Sequence, residues 1–92
     1  MSNIYLHHIA GYHTDPLIYT SRANRLQEAG FVRLRSEPGD DGTYWEVWAL
    51  FGRWQATGPL AGKTDDEIER WSLRLGAGQV ESGGKVWGLS PG

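Results

Sequence analysis

The chain contains no cysteine. Disulfides, thiolate metal sites and a cysteine nucleophile are therefore excluded, and redox chemistry does not mark the compartment. Lysine is nearly missing too: two lysines stand against seven arginines, and the formal net charge is −2. A protein that grips DNA by its phosphates usually carries a clear basic excess, which this chain lacks. The charge is also too mild for a DNA mimic built of massed carboxylates. No run approaches the roughly 18 apolar residues of a membrane span. The first residues show neither a basic n-region nor an apolar h-region, so a soluble, cytoplasmic protein is expected. Catalytic signatures are absent as well: no nucleophile elbow, phosphate loop, paired-histidine motif or Gly-x-Gly-x-x-Gly occurs. Gly76-Ala77-Gly78 follows a helical pattern where a phosphate site would need it to open one. Neither an enzymatic activity nor a cofactor is expected.

Aromatic side chains are plentiful. Five Trp, four Tyr and two Phe fall within 92 residues. Each buries roughly 150–250 Å² when packed, a large contribution to a core this small. Three of the five tryptophans lie between Tyr44 and Trp54, which marks that stretch as the central strand of one domain covering residues 1–92. Thirteen scattered glycines point to tight turns between short elements.

In chain order, Asn3 to Ile9 alternates as a strand. Asp15 is a fitting N-cap, and Pro16 at the first helical position starts a helix. Tyr19, Ala23 and Leu26 continue it at helical spacing, with Ile18 beside them, and Gly30 ends it. Phe31 to Ser36 reads as a second strand. The turn-forming loop Glu37-Pro38-Gly39-Asp40-Asp41-Gly42 then reverses the chain into the tryptophan strand, making a hairpin over 31–51. Arg53 to Thr57 reads as an extension of that strand or a short extra one, and Gly58 to Gly62 as a loop. Thr64-Asp65-Asp66-Glu67 has the spacing of a capping box. Ile68, Trp71 and Leu75 supply the buried stripe of the helix it opens. Gln79 to Glu81 and Lys85 to Leu89 read as a last hairpin around Ser82-Gly83-Gly84. The order is βαββαβ with the last strand doubled. An α+β, ferredoxin-like fold follows: an antiparallel sheet with two helices on one face. A winged helix is the competing fold, but too few residues precede the first helix to hold its other helices.

The alternation of the tryptophan strand defines two sets. Trp45, Val47, Ala49 and Phe51 lack a charge and are expected to meet the helices. Tyr44, Glu46, Trp48 and Leu50 then lie on the open face, beside Arg33 and Arg35 of the second strand and Tyr5 and His7 of the first. Tyr, Trp and Arg dominate binding hot spots, so Tyr44, Trp48, Arg33 and Arg35, with the Arg53-Trp54 pair beyond Gly52, are the candidate partner-binding residues. Trp54 and Trp87 also suit the rim of a small core.

Glu46 within that face favours a protein partner over single-stranded nucleic acid, which remains the alternative, as does a winged-helix DNA-binding regulator. A homodimer would use the same face. No metal is expected: His7 and His8 are adjacent on a strand and point to opposite faces, and neither they nor His13 have a carboxylate at ligand spacing. Asp40-Asp41-Gly42 is too short of ligands for a calcium loop. Small size, dense aromatics and absent motifs give the general character of an inhibitor-type accessory protein. Phage-encoded antagonists of host systems, such as anti-CRISPR proteins, are similar in that class-level sense alone.

Overall fold

Two side-chain caps and one sharp loop set where the helices lie. Asp15 Oδ1 accepts from the backbone N–H of Leu17 at 3.1 Å and of Ile18 at 3.3 Å, and Pro16 opens helix α1 (Pro16–Glu28). Thr64 and Glu67 close the capping box: Glu67 N–H donates to Thr64 Oγ1 at 3.3 Å, and Thr64 N–H donates to Glu67 Oε1 at 3.1 Å. These bonds hold the Glu67 carboxyl below its ordinary value, the backbone donor contributing most. Helix α2 (Asp65–Leu75) follows, with three acidic residues in its first turn and Arg74 in its last, matching the helix dipole at both ends.

The computed structural model describes residues 3–11, 15–39, 42–75, 79–82 and 85–88, without the side chains of 79 and 85–88. His13, Asp40, Asp41, Gly76-Ala77-Gly78, Gly83, Gly84, Leu89 and the Trp87 side chain lie outside the described residues. The strands are β1 (Tyr5–Ala10), β2 (Val32–Pro38), β3 (Tyr44–Leu50), β4 (Gln79–Ser82) and β5 (Lys85–Gly88). They form one antiparallel sheet in the order β2-β3-β1-β4-β5. The first four strands have the ferredoxin-like arrangement, and the last two make the hairpin read from the sequence. A winged helix has a different order and is excluded.

The core lies between the helices and one sheet face. Ala23 and Leu26 of α1 and Ile68 and Leu75 of α2 meet Tyr5, Ile9, Trp48, Leu50 and Val80, with Phe31 and Leu60 closing it. This reverses the expected faces. Glu46, Trp48 and Leu50 point to the helices, along with Tyr5, His7 and Ile9, while Trp45, Val47 and Ala49 occupy the opposite side with Leu6, His8 and Ala10. Strand alternation is rigid, so one misplaced residue carries its whole set across. The residue that misled is Glu46, a carboxylate only 4 % exposed yet well supplied with donors.

Beyond β3 the chain does not continue as strand. Arg53–Gln55 and Gly58–Leu60 form two short 3-10 turns. This segment caps the end of α1: Thr57 N–H donates to Ala29 O at 3.0 Å, and Thr57 Oγ1 donates to Glu28 O at 2.8 Å. Gly30, at φ 100°, lies so close that an added Cβ would collide with the Gln55 carbonyl.

Candidate functional site

The six residues expected to form one partner surface do not stand together. Trp48 is 8 % exposed and belongs to the core under the helices. Its indole N–H donates to Glu46 Oε1 at 3.2 Å. Tyr44 is half-buried, with its ring over Gly11. Arg33 pairs across the ladder with Trp48, which puts it on the helix side, and its Nε lies 3.9 Å from Glu46 Oε2. Arg35 pairs with Val47 and so falls on the open side. A bulge between Arg33 and Arg35 shifts the alternation by one. Only Arg35, Arg53 and Trp54 remain exposed on surfaces free of the helices' packing.

Two clusters of polar groups flank the middle of the sheet. On the helix side, Glu46 takes hydrogen bonds from Trp48 and from the Tyr19 hydroxyl, with Arg33 alongside. Burial, then the bond to Glu46 and its charge, push the Tyr19 hydroxyl up to about 12. A phenol that basic keeps its proton at neutral pH and stays a donor to Glu46. His7 sits nearby, 1 % exposed and edge-on to Phe31 at 6.3 Å between ring centroids. Neither ring nitrogen finds a hydrogen-bond partner among the described residues. Burial first, then the neighbouring charges of His8 and Arg22, lower its pKa to about 4.

On the sheet side away from the helices, whose centre is itself buried, His8 Nε2 donates to Glu81 Oε2 at 2.7 Å, and Arg35 Nε donates to Glu37 Oε1 at 2.8 Å. These polar side chains thus meet in pairs on the face itself. Val47 and Ala49 are fully buried between them. Among the described residues no group of three or more His, Asp or Glu is placed to hold a metal ion, and no helix is long and apolar enough to cross a membrane.

The most exposed aromatic side chain among the described residues is Trp54, at 80 %. It stands on the 3-10 turn at the end of the sheet where β3 stops and β2 begins. The turn is clamped by one side chain. Gln55 Nε2 donates to Gly30 O at 2.7 Å and to Ala49 O at 3.1 Å, and Gln55 Oε1 accepts from Phe51 N–H at 3.2 Å. Tyr5 lies opposite Leu50 and Val32 opposite Ala49, so Ile4, Val32 and Phe51 share this end of the sheet, all substantially exposed. Ile4, Val32 and Phe51 escaped the sequence reading as surface residues. Their type alone argued for burial, and only the sheet's register brings them to one place.

The chain matches no protein-family model, no curated protein and no solved structure.

Proposed function

We propose that the protein is a non-enzymatic binding domain that docks on a protein partner through the Trp54 end of its sheet. The observation that carries this reading is the clamped, outward-facing indole. An exposed Trp on a mobile loop would cost conformational entropy to order on binding, whereas the Gln55 bonds hold its turn in advance. Large aromatic anchors that arrive already ordered dominate protein–protein hot spots. Arg53, beside it, adds the other side chain most enriched there. Ile4, Val32 and Phe51 supply the apolar surround that excludes water from such an anchor. An inhibitor-type or accessory role fits a surface of this kind.

A protein partner fits better than single-stranded nucleic acid. Stacking platforms for bases set aromatic rings beside cations that face phosphate, and here Arg35 of the open face is already engaged by Glu37. The test is capture from the native host with tagged protein, comparing wild type, Trp54→Ala and Arg53→Ala. Loss of a specific protein in the Trp54 variant, with its fold retained by circular dichroism, supports the reading. Undiminished capture by both variants overturns it, and so does co-purification of nucleic acid alone.

A further inference from the structure

The helix layer carries a groove on the far side from the open sheet face. It has two lobes of about 260 and 280 Å³ that share Pro59 and Trp71. Trp71 is half-buried and fixed from below, its ring stacked on Phe31 with centroids 6.2 Å apart and planes 21° apart. It forms an apolar floor with Pro59 and Leu60. Around this floor the rims are basic. Lys63, Arg70 and Arg74 rise from α2 and its approach, on the same stripe as Glu67, since 63, 67, 70 and 74 are spaced by four, three and four. Arg25 faces them from α1, with Glu28 beside it.

The charge is uneven. Four cations less two carboxylates leave +2 around the groove, in a chain whose formal net charge is −2. Glu67 lies 3.9 Å from Lys63. No carboxylate comes within ion-pairing distance of Arg25, Arg70 or Arg74 among the described residues. Helix dipoles account for a basic residue near the end of each helix, Arg25 and Arg74. They do not account for Arg70, nor for three guanidinium groups, unpaired among the described residues, lining two lobes that share Trp71.

We propose that this groove is a second docking site, which takes a short acidic segment of a protein partner and seats its aromatic or aliphatic side chain on Trp71 and Pro59. Guanidinium forks bind carboxylates in two-pronged fashion, and three of the four cations are arginines. The helical part of the stripe, Glu67 to Arg74, is about 10 Å long at helical rise, a span that about three extended residues cover, with Lys63 just before the helix. Glu28 and Glu67 favour a peptide over a nucleic acid: they accept from peptide N–H groups and repel a continuous phosphate backbone. This site is independent of the Trp54 surface, so one partner could be held at both, or two partners at once.

The test is an amide chemical-shift titration of the full chain with a synthetic peptide of four glutamates around one phenylalanine. Shifts are expected in residues 25–28, 59–60 and 63–74 and not at Arg53–Gln55, with an affinity that falls as salt rises. Arg70→Glu with Arg74→Glu should weaken binding about tenfold or more. If that double variant loses the wild-type spectrum, Arg25→Glu on the opposite rim must weaken binding comparably. Absence of groove shifts at millimolar peptide overturns the proposal, as do shifts that survive charge reversal. Tighter binding of oligothymidylate at the same residues also overturns it, in favour of nucleic acid.

Discussion

Arg33 lies across the β2–β3 ladder from Trp48, and Arg35 lies across from Val47, so the two arginines stand on opposite sides of the sheet. Leu34 between them is the extra residue of a bulge, three positions of β2 serving two of β3. One arginine is thereby delivered to the buried Glu46 and the other to Glu37 on the open face. The bulge also distorts an edge strand whose residues are mostly exposed, a common protection against pairing with other chains.

The two tryptophans at positions 48 and 54 should respond oppositely to truncation. Trp48→Ala leaves a large cavity under the helices and removes a donor from Glu46, so it should cost about 3–5 kcal/mol in urea denaturation. Trp54→Ala removes a side chain that touches mainly solvent and should change stability by less than about 0.5 kcal/mol. Equal effects in the two variants would mean that the faces are assigned wrongly.

His7 makes the fold sensitive to mild acid. Its imidazole is neutral in the folded protein down to about pH 4, whereas the unfolded chain takes up the proton near the ordinary value of 6.5. Between those values the unfolded state binds more protons, so stability falls as pH falls through this window; above it His7 has no effect, and below it the loss is complete. The loss attributable to His7 is about 3 kcal/mol. Carboxylates titrate in the same range, so the informative quantity is the difference between wild type and His7→Leu. The variant should be at least as stable at pH 7, since the ring has no hydrogen-bond partner among the described residues, and its stability should fall less between pH 6.5 and pH 4. Parallel pH profiles for the two proteins would refute the assignment.

Gln55 should matter more than a half-exposed glutamine usually does. Gln55→Ala leaves the Gly30 and Ala49 carbonyls and the Phe51 N–H without their partner, at a cost of about 1–3 kcal/mol in thermal or urea unfolding. Hydrogen exchange supplies the local readout: protection of the Phe51 amide should drop while that of β1 amides persists. Binding through Trp54 should weaken as well, although the indole itself is untouched.

The features legible in the sequence were those written in neighbouring residues. The Asp15-Pro16 start, the Thr64–Glu67 box and the hairpin between β2 and β3 all rest on spacings within a few positions. What was not legible depended on residues that meet only after folding. A carboxylate in the middle of β3 argued for solvent, because its partners Tyr19 and Arg33 come from α1 and β2. The bulge at Leu34 has no glycine or other local marker, so Arg33 and Arg35 looked like neighbours on one face. The 3-10 turn at Arg53–Gln55 arises because Gln55 bonds back to Gly30 and Ala49, positions that no local pattern connects to it.

The place of β1 in the sheet has a consequence for how the chain acquires its shape. β1 precedes all of its partners in the chain: Tyr5 finds Leu50 on one side and Ser82 on the other, and its hydroxyl donates to Asp65 O at 2.7 Å. None of these partners has been made when β1 is. The central strand therefore waits, and folding is expected to be a late, concerted event governed by distant contacts and slow for a domain of this size. A fragment ending before β4 should have no stable sheet of its own, and the emerging chain would be most vulnerable to proteases and to self-association during that interval.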